Sequence, residues 1–425
     1  VGRAAVGSRW LTTRAAVLIA ALLHLSPALG GSSGHADPIE ELRLSANLER
    51  QRDLAWQLFS RLTALRASGN TPSFTDWRNE AELFAKNSDA PRMAFPGAPI
   101  GAGFLPSMQP KHLGDAPIVT FVHYNPDAYA FVRTHGLYRK QRLDELMRTG
   151  ARDPRFPDQR SIGELPRTAA IMMTGWWPVS GQGVTPLPTW SATDRTIRLA
   201  GGNSYTNWSS AVGIDPQLSE SAANPSVDLV FAGRTFKAAP RVSLQRFYHV
   251  RLSQGTAAQL MRNPGARKAA LIALGRPLRE GDFLALVALH LATLAGGKGV
   301  WQTHWWDLQA ASSAYGLGRP PALPTPWSNY VMDVTLDASL PRDPDGSPRT
   351  CFNPWFEGAF PGERGSNGIR SNCLSCHDRA SYPRTDFLPI HRGEPDPSKD
   401  PAYAAGRLRT ARIWALANPE TAPPR

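Results

Sequence analysis

Apolar residues recur at helical spacing over 42–65, where Leu44, Leu48, Leu54, Leu58, Leu62 and Leu65 fall on one side of a helix. A second pattern of this kind runs over 74–85 around Trp77, Leu83 and Phe84, and a Pro- and Gly-rich connector over 91–110 closes this helical opening. From about 117 to 252 the texture changes. Runs rich in β-branched and aromatic residues predict strands over 118–122, 169–177, 196–199, 227–231 and 242–252, interrupted by a helix over 126–147. Helices are expected again over 256–274 and 282–293, and from about 320 onward the chain reads as loops. No internal repeat is visible.

The pattern describes an α+β chain with a helical N-terminal part, a mixed central part with strands and a loop-rich C-terminal segment. In regions, this is a leader over 1–36, a helical region and connector over 37–110, a mixed strand-rich region over 111–255, and a helical and loop-rich region over 256–425.

The leader follows from its own pattern. Arg3, Arg9 and Arg14 precede an apolar run over 15–25, broken only by His24, and small residues and Pro27 end it. That is the form of a secretory signal peptide, with cleavage expected between Gly30 and Asp37, the Ala36–Asp37 bond being one option. The run is shorter than the roughly 20 apolar residues of a membrane span. An uncleaved membrane anchor is the alternative, so membrane association stays open and the expected location is periplasmic or otherwise extracytoplasmic.

Composition changes this picture little. A hydrophobic content of 42% without low-complexity tracts argues for a folded chain with a real core. Lys and Arg outnumber Asp and Glu by 47 to 35, giving +12, a basic surface suited to an acidic redox partner or an anionic membrane face. Basic residues never run more than two in succession, as at Arg139-Lys140, which argues against nucleic-acid binding.

Cysteine changes it a great deal. Of the three cysteines, two stand in Cys373-Leu374-Ser375-Cys376-His377, the C-x-x-C-H form of a c-type haem attachment site. Two thiols at this spacing can add to the two vinyl groups of one porphyrin, and the histidine directly after them is held where it can ligate the iron. One covalent haem c is the expected cofactor. Haem c is attached outside the cytoplasm in bacteria, so motif and leader agree. A zinc knuckle of Cys351, Cys373, Cys376 and His377 is the competing use of these residues, although its spacing matches no common finger. A thioredoxin-like centre would need a strand before the pair, and 361–368 reads as a loop. With two thiols in thioethers, Cys351 is expected to be a free, buried thiol with no part in haem attachment.

A second iron ligand is harder to assign. Only 48 residues follow His377 and none is methionine, so the ligand is either His391 or comes from upstream. His290 is the first candidate for a distal ligand, being the histidine in the most apolar predicted helix and followed closely by the tryptophans of 301–306, which could pack round a porphyrin and exclude water. His249 and His304 follow, then Met172, Met173 and Met332; each also has the plainer reading of a core residue.

Phe352-Asn353-Pro354-Trp355, the segment 371–377 and Ala380 to Pro383 behind it resemble large exported bacterial proteins of the cytochrome c family that carry one haem motif near the C-terminus. Phe247-Tyr248-His249, the His290 segment and the Trp301 to Trp306 cluster are similar to that group as well. The resemblance implies haem binding and electron transfer with a redox partner protein, and it supplies no distal ligand. The function expected is thus that of an exported monohaem c-type cytochrome. The alternative is a haem c oxidoreductase with an open distal site acting on peroxide or another small substrate, and a third, non-redox reading is a zinc-stabilised interaction module.

Overall fold

The structure, a computed structural model, describes residues 46–66, 71–86, 92–100, 118–153, 156–191, 205–219, 225–293, 299–337, 340–342, 349–351, 353–357, 372–384, 406–417 and 419. The leader over 1–36, the predicted strand over 196–199, most of the connector and His391 lie outside the described residues.

The first helix, α1 (Leu48–Thr63), starts where the Asn47 side chain accepts a hydrogen bond from the Arg50 amide, and it buries Ala55, Trp56, Phe59 and Leu62. The helix expected over 74–85 is instead a 3-10 turn, a short strand β1 (Arg78–Asn79) and a single helical turn α2 (Glu80–Leu83). Here Asn79 and Glu82 form a capping box that starts a new element in the middle of the apolar pattern. Strand β2 (Val119–Tyr124) leads to α3 (Pro126–Thr134) and α4 (Lys140–Thr149), two helices where one was expected. Gly136 between them takes a left-handed conformation that ends the first helix.

Next come β3 (Arg152–Asp153), β4 (Phe156–Ser161), β5 (Ala170–Val179), β6 (Thr185–Thr189), β7 (Ser210–Asp215), β8 (Ser226–Phe231), β9 (Arg234–Ser243) and β10 (His249–Arg251). The helix predicted over 256–274 divides into α5 (Gln254–Leu260) and α6 (Pro264–Leu274), because Asn263 caps a new helix with Pro264 in its first turn. Strands β11 (Phe283–Thr293), β12 (Val300–Trp306) and β13 (Tyr330–Thr335) follow. The helix α7 (Cys373–His377), then β14 (Ser381–Tyr382) and β15 (Leu408–Arg409), complete the described elements. Strand and helix share the molecule, so the α+β class holds.

The largest correction concerns 282–293. The segment carrying His290 is the strand β11, not an apolar helix. Its residues are apolar on both sides because it is covered on both faces, and an unbroken apolar run of that length has no periodicity that separates a buried helix from a central strand. β12 and β13 extend the same sheet, and β13 lies in the stretch read as loops.

The main sheet has the order β1-β2-β5-β11-β12-β13, antiparallel throughout, with β10 also paired to β11. It takes strands from the helical opening, the strand-rich region and the C-terminal region alike. Two four-stranded sheets, β14-β15-β4-β3 and β6-β7-β9-β8, flank it.

Register fixes the two faces, since partners across a ladder point to the same side and neighbours along a strand to opposite sides. One cross-strand row runs Phe121, Thr174, Leu289, His304, Met332. It lies under α1, where Trp56 and Phe59 meet His304. The adjacent row, Val122, Met173, His290, Thr303, Asp333, points the other way. That second face receives the C-terminal chain: Val122 and Tyr124 share a core cluster with Val132, Leu143, Tyr382, Leu408 and Leu416. Among the described residues no helix is long and apolar enough to cross a membrane.

Candidate haem attachment site

The motif forms one helical turn. Asn372 caps it, accepting from the Leu374 amide at 3.0 Å, while its side-chain amide donates to Thr335 Oγ1 of β13 at 2.9 Å and to the Asp337 carbonyl at 3.0 Å. The cap therefore starts the turn and fastens it to the sheet. Helical spacing of three and four residues brings Cys373, Cys376 and His377 to one side of the turn. All three are half-buried.

His377 is held on two sides. Its Nδ1–H donates to the Arg412 carbonyl at 2.9 Å, and its ring lies against the Trp301 indole with centroids 4.0 Å apart. A nitrogen facing a carbonyl must carry the proton, so the neutral ring keeps its lone pair on Nε2. Among the described residues Nε2 makes no hydrogen bond. Burial, outweighing the Arg412 bond, lowers the His377 pKa to about 4, so the ring is neutral at physiological pH.

The carbonyl is aimed by a turn in which Ala411 and Arg412 are both left-handed. Such residues cost more than glycine there and persist where their surroundings hold them. Arg412 Nε donates to Asp378 Oδ1 at 2.7 Å, and Arg409 reaches Asp153 at 3.3 Å and Asp378 at 3.8 Å, which ties this turn to the motif helix.

Above the motif lies 353–357. The Asn353 side chain donates to Thr303 Oγ1 at 2.7 Å and to the His304 carbonyl at 2.9 Å. Phe356 stacks on His290, 4.6 Å between centroids, and packs over Gly175, where an added Cβ would lie 3.0 Å from its ring. Gly175 thus lets this segment approach the sheet. His290 Nε2 is 2.8 Å from Glu357 Oε1, while Glu357 Oε2 accepts the Asn353 amide.

The thiols are all pushed toward the protonated state. Cys376 is raised to about 12, first by burial and then by the Glu357 charge. Cys373 is raised by its hydrogen bond to Cys351 and by burial. For Cys351 that bond acts downward, but burial and the Asp333 carboxylate prevail. Cys351 is buried, as expected, yet it is not remote from the motif: its Sγ is 3.3 Å from Cys373 Sγ.

These residues fit a covalently held haem. The two thiols and the His377 ring are on one side of the motif turn, and beside them Trp301 Nε1 is buried with no partner among the described residues. Cys373 would have to turn from Cys351 to bond the porphyrin. The zinc knuckle fares worse, since among the described residues no group of three or more His, Cys, Asp or Glu is placed to hold a metal ion.

No family model matches the chain, no curated protein matches it and no solved structure matches it. The chemistry of the site has to be read from its own residues.

Strand alternation sorts the distal candidates. His304 is fully buried on the far face, stacked on Phe59 at 3.9 Å with Nε2 against Gln302 Oε1 at 2.9 Å, and Met332 and Met172 face the same way. His249 pairs with Ala285 toward the opposite end of β11 and bonds the Phe247 carbonyl at 2.9 Å. His290 and Met173 remain, directly paired on the motif's side. His290 is also near enough to His377 for a charge on it to oppose protonation there. Of the three clustered tryptophans only Trp301 touches His377; Trp305 packs on Tyr315, and Trp306 stacks on Phe247. Sequence reading missed the Arg412 carbonyl and Glu357. A main-chain acceptor leaves no side-chain signal, and Glu357 lies 67 positions from His290.

Proposed function

We propose that the chain is an exported monohaem c-type cytochrome acting in electron transfer, with Cys373 and Cys376 holding one haem c through thioethers and His377 as its proximal iron ligand. The observation that carries this reading is the Nδ1–H bond from His377 to the Arg412 carbonyl, which sets the tautomer and aim that iron ligation requires. When bound, the group supplies a one-electron iron couple. The chain's own part is to orient the imidazole through Arg412, to shield it with Trp301, and to present a basic surface of net charge +12 to an acidic redox partner. His290 is the proposed distal ligand. The resemblance to large exported cytochromes, together with the leader pattern, supports a periplasmic or otherwise extracytoplasmic location.

The alternative of a haem c oxidoreductase with an open distal site draws on one specific observation, the contact of His290 with Glu357. A histidine engaged by a carboxylate can hold and pass a proton for peroxide or another small substrate. Protein made with a haem c maturation system tests the shared claim: haem should survive acid–acetone extraction and give a c-type pyridine haemochrome. Freely extractable haem, or stoichiometric zinc without iron, overturns it.

A further inference from the structure

We propose that Cys351 and Cys373 close into a disulfide in the haem-free protein, so that Cys351 guards one of the two attachment thiols. The sulfurs are already 3.3 Å apart, and Cys373 Sγ also donates to the Cys351 carbonyl at 3.2 Å. Bond formation needs the sulfurs to close to about 2.0 Å. The partners are 22 residues apart in sequence, held together because 349–351 and Asn372 are both fastened to β13. Arg349 pairs with Asp333 at 2.6 Å and Asn372 bonds Thr335.

Exposure sets the order of events. Cys373 is half-buried, whereas Cys351 is buried. Cys373 gives up its proton and attacks one sulfur of an external disulfide; a mixed disulfide forms, and the other sulfur leaves with that proton as one external thiol. Cys351 then gives up its proton and attacks Cys373 Sγ, the mixed bond breaks, and the second external thiol leaves. Two cysteine thiols are oxidised by two electrons, and one external disulfide is reduced to two thiols. Cys373 so occupied has no thiol for a porphyrin vinyl group, and reduction of the bond returns it. The disulfide stands independently of the haem reading; its consequence for attachment rests on it.

Haem-free full-length protein is incubated with oxidised glutathione, its remaining thiols are alkylated, and tryptic peptides are mapped by mass without reduction. The expected result is peptide 350–364 linked to peptide 371–379 with Cys376 alkylated, the link persisting in Cys376→Ser and lost in Cys373→Ser. A Cys373–Cys376 loop with Cys351 alkylated, an interchain link, or no link overturns the proposal. In the second arm, oxidised wild-type protein should attach about tenfold less haem until dithiothreitol is added, while Cys351→Ser attaches it equally with or without reductant. An equal need for reductant in Cys351→Ser overturns the guarding role. If the disulfide maps as expected but no haem attaches under any condition, the haem reading fails and the disulfide stands.

Discussion

The two faces of the main sheet carry the same kinds of residue and put them to different use. Under α1, His304 is sealed between Phe59 and Gln302, and Trp56 closes over it. On the other face His290, Trp301 and His377 are half-buried, one of them with a free ring nitrogen among the described residues. His304 and Thr303 are neighbours in one strand, yet His304 belongs to the core and Thr303 to the site. What separates a structural from a chemical histidine here is the parity of its position, because a strand sends successive side chains to opposite sides.

The sharpest way to break this comparison is to damage each face in turn. Phe59→Ala should lower stability by about 3–5 kcal/mol, as for a large buried aromatic, and leave haem per folded molecule unchanged. His377→Ala should do the reverse, losing the normal haem spectrum while the melting temperature of the haem-free protein changes little. Calorimetry and haem absorbance measured on both variants decide it, and a loss of haem ligation in Phe59→Ala at temperatures where it is folded would show that the faces are not independent.

His290→Ala is the next test. With His290 as distal ligand, wild-type protein is low-spin, and the substitution turns it high-spin and open to carbon monoxide or cyanide. High-spin wild-type protein that takes these ligands at once favours the oxidoreductase reading. A low-spin spectrum untouched by the substitution passes the role to Met173, its partner across the ladder.

Much of this was legible in the sequence because it depended on local spacing. Cys373, Cys376 and His377 lie within one helical turn, and the leucine spacing over 42–65 gave a real helix, Leu48–Thr63, although Trp56 and Phe59 carry its buried side. The His290 segment was misread since Phe283–Thr293 is apolar on both faces, and only its long-range partners β5 and β12 make it a strand. The approach of Cys351 to Cys373 and the aim of the Arg412 carbonyl are products of tertiary folding, through β13 in one case and two left-handed residues in the other. Neither leaves a local pattern.

The smallest expected effect concerns protons in the haem-free protein. A histidine whose folded pKa lies near 4, below the ordinary 6.5, binds its proton more readily when unfolded. Its contribution to stability is therefore complete above about pH 6.5 and is lost as the pH falls through about 4. Nitrogen-15 NMR should find the His377 ring neutral and protonated on Nδ1 down to that pH. An Nε2–H tautomer, or titration at the ordinary value, would remove the role given to Arg412.

The central claim is covalent attachment of one haem through both motif cysteines, and mass spectrometry of the tryptic peptide 371–379 from exported protein tests it most directly. That peptide should carry one haem, with Cys373 and Cys376 both closed to alkylation and Cys351 alkylated in its own peptide. An unmodified peptide with both thiols free, in protein matured alongside a control cytochrome that does acquire haem, would contradict it.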